Sequence, residues 1–279
     1  MAFHFIASTG RTATTFIAAA LDTIDGVAAC HEGYRGSEHG DEPLLPLINL
    51  ENALAFQKPE SAAGVVSEKR SAKVVAAALE EAGAQVLVDV AYYNPTLATA
   101  LLGEHENAAM VGIIRDCEKF VRSATQMEGE DDLPVGWPDP AKPLTDRERF
   151  ISMGRIRPPR GSGEAASWKE WSAIRRNIWL WQATNDLILD AAESAPERST
   201  ILDFAMLKDD PDRFWGEIAR TLRLPGVPVL SNSLTDRFVN RKKTGYQVGP
   251  AEEWSAEERS ALAAASAAIE GRMKRWDSR

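Results

Sequence analysis

Gly10, Arg11, Thr12, Ala13, Thr14 and Thr15 lie between an apolar run, FHFIAS (residues 3–8), and the helical pattern TTFIAAALDTI (residues 14–24). A strand that stops at a glycine and turns into a helix presents unpaired backbone N–H groups at the positive end of the helix dipole. That placement favours a phosphate or a similar anion. The hydroxyls of Thr12, Thr14 and Thr15 add donors, and Arg11 adds a fixed charge whose planar fork matches an oxyanion. The stretch differs from the nucleotide-triphosphate loop G-x-x-x-x-G-K-[ST], because Ala13 and Thr14 break the required glycine and lysine pattern. The plain alternative is a strand–turn–helix with a capping threonine and a solvated arginine. A second signal has to decide between them.

In this arrangement the chain resembles the sulfotransferases that use 3'-phosphoadenosine 5'-phosphosulfate (PAPS), whose first motif is a strand, a basic residue with small-Gly-Thr-Thr, and a helix. Arg11, Thr12, Ala13, Thr14 and Thr15 match that motif, with Ala13 in place of the usual glycine. The resemblance extends to IIRDCEKFVRSATQ, where Arg115 ends an apolar run and Ser123 follows eight positions later. In the family such a pair holds the donor's 3'-phosphate; Cys117 stands where proline is common. ILDFAMLKDDPDRFWGEIARTLRLP resembles the family's strand, acidic turn, helix and Leu-x-Leu-Pro ending. NRKKTG resembles the late basic segment that closes over the 3'-phosphate, which carries over Arg241 and Lys242.

The resemblance implies PAPS as donor, no metal, and a small-molecule or carbohydrate acceptor with a hydroxyl or amine. Arg11 then neutralises the leaving phosphate. The base is expected after the second strand, where CHEGYRG places His31 and Glu32 side by side. Glu32 leads, with a pKa that burial must raise, and His31 is its rival because imidazole already titrates near neutrality. Asp89, Tyr92, Tyr93 and Asn94 follow a strand and are candidates for the acceptor pocket, as are Trp137, Arg155, Arg157 and Arg160. A P-loop kinase or NTPase with Asp89 on magnesium, and a non-catalytic nucleotide-binding protein, are the alternatives.

The elements that must position these residues are legible in outline. Short apolar strands at 3–7, 26–30, 85–90, 108–116 and 199–204 alternate with helical patterns such as EKRSAKVVAAALEEAG (residues 68–83) and the long SWKEWSAIRRNIWLWQATNDLILDAAE (residues 167–193). That alternation predicts an α/β fold: a central, mostly parallel sheet flanked by helices, with a P-loop-like nucleotide-binding core. Residues 31–46 read as a loop, and the Pro/Gly-rich stretch at about 127–167 as a structureless lid inserted into a single sulfotransferase-like domain spanning 1–279.

The bulk composition agrees. A chain of 279 residues, 44% hydrophobic and 26% charged, has core enough without disulfides or metal. The net charge of -9 argues against a nonspecific nucleic-acid partner, and no apolar run is long enough for a membrane span. No basic leader precedes the first apolar run, so a cytoplasmic location is expected. The two cysteines, Cys30 and Cys117, read as buried thiols. Oligomeric state is not legible at this level.

Overall fold

The computed structural model describes residues 1–35, 42–125, 136–239 and 248–276. Six strands form one sheet: β1 (Ala2–Ser8), β2 (Val27–His31), β3 (Tyr34–Arg35), β4 (Val86–Ala91), β5 (Met110–Ile114) and β6 (Ser199–Asp203). Their order is β3-β2-β4-β1-β5-β6, parallel throughout except for the two-residue β3, which runs antiparallel to β2. The helices of the first half are α1 (Thr14–Leu21), α2 (Leu50–Gln57), α3 (Ala62–Lys69), α4 (Ala72–Ala82), α5 (Asn94–Glu104) and α6 (Cys117–Thr125). Then come α7 (Asp146–Met153), α8 (Gly163–Ser167), α9 (Ala173–Ser194), α10 (Met206–Asp209), α11 (Pro211–Thr221), α12 (Asn232–Val239) and α13 (Ala256–Met273).

The strands alternate their side chains between two buried layers, as the pleat requires. Phe3, Phe5 and Ala7 pack on one face with Leu97 and Leu101 of α5, Phe120 of α6, Ile178 and Trp181 of α9, and Ile269 of α13. Ile6 of β1, with Val88, Val90, Val111 and Ile113, packs on the other face against Phe16, Ile17 and Leu21 of α1 and Phe214, Trp215 and Ile218 of α11. Burial of each large apolar side chain contributes about 1.5–3 kcal/mol, so the strand pattern fixes which way every turn at the sheet edge must point. Cys30 and Cys117 are both buried. Among the described residues no helix is long and apolar enough to cross a membrane.

Three departures from the sequence pattern have local causes. The helix expected over 68–83 divides into α3 and α4 at Arg70, whose φ is -139°. Arg70 turns inward there, its Nε donating to Asp89 Oδ2 at 2.8 Å and its Nη2 to the Tyr93 hydroxyl at 2.7 Å. The long helix begins at Ala173 rather than 167, where the Ser172 hydroxyl caps it by accepting the Arg175 N–H at 3.1 Å. The stretch read as structureless is folded over its described part, 136–167: it contains α7 and α8, and Trp137 is buried with its Nε1 donating to the Ile156 carbonyl at 3.1 Å.

The Arg70–Asp89 pair is almost fully enclosed, at 1% and 0% side-chain exposure. Removing one partner of a buried pair leaves an uncompensated charge and costs about 3–5 kcal/mol. Arg70→Ala is therefore expected to lower the unfolding free energy by an amount in that range, measured by equilibrium unfolding in urea. A shift below about 1 kcal/mol would show that water replaces the guanidinium.

Candidate active site

The turn after β1 runs through left-handed backbone, with φ of 74° at Gly10, 55° at Arg11 and 55° at Ala13. Such conformations cost a non-glycine residue about 1–2 kcal/mol. Ala13, not a threonine, is the N-cap of α1, and no side chain caps the helix. The first helical bond is Ile17 N–H to Ala13 carbonyl at 2.9 Å, so the N–H groups of Thr14 and Thr15 have no intrahelical acceptor. Thr12 is fully buried, and its Oγ1 has no partner among the described residues. A strained turn whose helix-start N–H groups no side chain caps can receive an anion.

The turn after β5 lies beside it, because β1 and β5 are neighbours with Ser8 opposite Ile113. Arg115 Nη1 donates to the Arg11 carbonyl at 2.5 Å, and Arg11 Nε donates to Ser123 Oγ at 2.9 Å. Arg115 is further placed by its own carbonyl, which accepts from Trp181 Nε1 at 2.8 Å, and by the Phe204 ring, 5.4 Å from its guanidinium carbon. Asp116 caps α6, its Oδ1 accepting the Lys119 N–H at 2.8 Å. Two segments more than a hundred residues apart thus form one cationic, donor-rich surface.

His31 ends β2 and faces the same turn. Its Nε2 lies 3.1 Å from Thr14 Oγ1, 3.4 Å from Thr15 Oγ1 and 3.7 Å from Glu32 Oε1. Glu32 has a left-handed φ of 53° and is followed by Gly33 at 93°, where a Cβ would sit 2.8 Å from the Leu45 carbonyl oxygen. Only glycine accepts both constraints, so the tight turn holds the Glu32 side chain at the sheet edge. Desolvation, with a lesser contribution from the Asp89 charge, raises the Glu32 pKa to about 7.

Comparison with solved structures places this architecture. A sulfotransferase from Alicyclobacillus acidocaldarius aligns with a TM-score of 0.50 at 13% identity, over 97% of this chain and 93% of that one. The sulfotransferase domain from the curacin biosynthetic pathway aligns at 0.48 and 14% identity, over 94% and 96%. The chain has the sulfotransferase fold. No family model and no curated protein sequence matches it.

Within this sulfotransferase fold the remaining candidates separate. Asp89, Tyr93 and Asn94 are buried at 0%, 1% and 0% exposure, which removes them from an acceptor pocket and, for Asp89, from magnesium. They belong to the interior: Asp89 to Arg70, Tyr93 to Arg70, and Asn94 Nδ2 to the carbonyls of Ile6 and Asp89 at 3.0 and 2.9 Å. Tyr92 and Arg155 instead line a cavity of about 20 Å³ with Thr9, Asn52, Thr96 and Thr184. Burial lowers the Arg155 pKa to about 10. The last four lining residues carry no motif, since they come from the end of β1, α2, α5 and α9 and meet only on folding. Arg157 covers the Trp137 ring at 5.2 Å and is exposed, as is Arg160. Arg241 and Lys242 lie outside the described residues.

The Ala13 backbone generates a stability test. Glycine adopts its left-handed angles without the Cβ penalty, while adding some unfolded-state entropy. Ala13→Gly is expected to stabilise the protein by about 0.5–1 kcal/mol in urea unfolding, whereas a destabilisation would mean that the Ala13 methyl contributes packing that outweighs the strain.

Proposed function

We propose that the protein, as one domain over 1–279, is a PAPS-dependent sulfotransferase that moves a sulfuryl group to a hydroxyl or amine of a small-molecule or carbohydrate acceptor. The observation that carries this reading is the Arg115–Arg11–Ser123 chain of hydrogen bonds. It joins the turn suited to a 5'-phosphate with the pair suited to a 3'-phosphate, at the carboxyl edge where open α/β sheets bind nucleotides. The buried Thr12 hydroxyl, without a partner among the described residues, fits the same occupant.

When bound, PAPS supplies an activated sulfuryl group. Backbone N–H groups of residues 12–15 and the threonine hydroxyls would hold the 5'-phosphate, and Arg115 and Ser123 would hold the 3'-phosphate. Arg11 neutralises charge on the leaving phosphate oxygen, which requires no proton transfer from a guanidinium that stays ionised. Glu32 would take the proton from the acceptor hydroxyl or amine as the sulfuryl group passes to it and the sulfur–oxygen bond to the 5'-phosphate breaks, the electron pair staying on the phosphate oxygen. Positioning and electrostatics thus supply the catalysis, with no covalent enzyme intermediate. The kinase reading loses support because the Asp89 carboxylate is committed to Arg70 and closed from solvent.

Calorimetric titration with adenosine 3',5'-bisphosphate beside ATP tests the donor without knowledge of the acceptor. Binding of the bisphosphate, tighter than ATP and insensitive to EDTA, is expected; Ser123→Ala should weaken it, and Arg11→Ala should lower turnover on the order of 10²–10³-fold. Preference for magnesium-ATP would reverse the assignment.

The Glu32 pKa of about 7 sets the pH dependence. The base works deprotonated, so rate is highest above that value and falls about tenfold per unit as pH drops below it. Glu32→Gln is expected to lower the rate and to remove this acid limb from a pH profile of kcat/KM, which reports the free enzyme. Retention of the limb in the variant would assign it to another group.

A further inference from the structure

We infer that His31 is a positioning residue of the donor site, holding the Thr14 and Thr15 hydroxyls as hydrogen-bond donors toward the bound 5'-phosphate, and is not the base. This rests on the sulfotransferase reading of the turn and extends it to a residue of β2. The ring stands at the last position of β2 and reaches the first turn of α1, placing one nitrogen, Nε2, 3.1 Å from Thr14 Oγ1 and 3.4 Å from Thr15 Oγ1. A hydroxyl carries one proton and two acceptor lone pairs. When Nε2 carries the ring proton, its single N–H is shared between the two oxygens, chiefly with the nearer Thr14 Oγ1, and the threonine protons are left to point at the anion. The opposite tautomer would draw one threonine proton, that of the nearer Thr14, onto the ring and away from the anion.

Exposure separates His31 from Glu32. The imidazole side chain is 9% exposed and turned toward the loop, whereas 35% of the Glu32 side chain is open. An incoming acceptor therefore meets the carboxylate, while the imidazole serves the threonines behind it.

The test uses adenosine 3',5'-bisphosphate as probe, with His31→Ala and His31→Gln, the latter because its amide nitrogen reaches close to the position of Nε2. Calorimetry is expected to show about tenfold weaker binding for His31→Ala, as for loss of one oriented hydrogen bond, and recovery to within about threefold for His31→Gln. Thr14→Ala added to His31→Ala should cost less than it does in the wild type, since the two act through one contact. In the pH profile of kcat/KM the acid limb near neutrality should persist in His31→Ala. Nitrogen NMR of the complex should find the His31 ring protonated at Nε2. Wild-type affinity in His31→Ala, loss of its acid limb, no recovery in His31→Gln, or a ring protonated only at Nδ1 would each overturn the role of His31. A wild-type protein that does not bind the bisphosphate overturns the sulfotransferase reading itself, a different result from wild-type binding that His31→Ala leaves unchanged.

Discussion

The parallel pairing of β1 with both β4 and β5 is the constraint from which the site follows. Ala7 stands opposite Ala91 on one side and Gly112 on the other, so the turns that leave β1, β4 and β5 emerge at one sheet edge. β2 joins the same edge through β4, with His31 opposite Val90. A shift of one residue in any of these registers would send each strand's side chains to the opposite layer and expose apolar surface. The two hydrophobic layers therefore hold the candidate groups together, although none of those groups contributes much to the core.

On this scaffold the chain tolerates local strain. Arg11, Ala13 and Glu32 all occupy left-handed backbone, and all three stand in the two turns that face each other across the site. Their conformational cost is offset by the strands and helices on either side, which are among the most buried parts of the molecule. In return the backbone aims N–H groups and a carboxylate outward at positions where a relaxed turn would fold them away. Partial desolvation, with the Asp89 charge behind it, raises the Glu32 pKa to about 7 although 35% of the side chain stays open.

The buried Arg70–Asp89–Tyr93 network performs a different service. It fixes the end of β4 to the break between α3 and α4, and Arg70 Nη1 also donates to the Pro46 carbonyl at 2.7 Å. Asp89 is thereby withdrawn from solution chemistry, while its neighbour Tyr92 is left at the cavity with Arg155. The segment that contains Trp137 and Arg155 is held on the body of the protein, with the Trp137 N–H donating to Asn177 Oδ1 at 2.6 Å. Arg155 and Ile156 of this segment form one wall of that cavity.

Period and punctuation in the sequence determined the α/β class, the strands at β1, β2, β4, β5 and β6, and the chemical character of the turn at 10–15, because these depend on short-range spacing and on residue type. Arg115 and Ser123 were paired only through the family resemblance, which sets an arginine at a strand end and a serine eight positions on. Contacts between distant segments decided the rest. The bond from Arg11 to Ser123, the withdrawal of Asp89, Tyr93 and Asn94 into the core, and the meeting of Thr9, Asn52, Thr96 and Thr184 all depend on which strands become neighbours. Strand order is set by the joint burial of two apolar layers, a property of the whole chain that no local window contains.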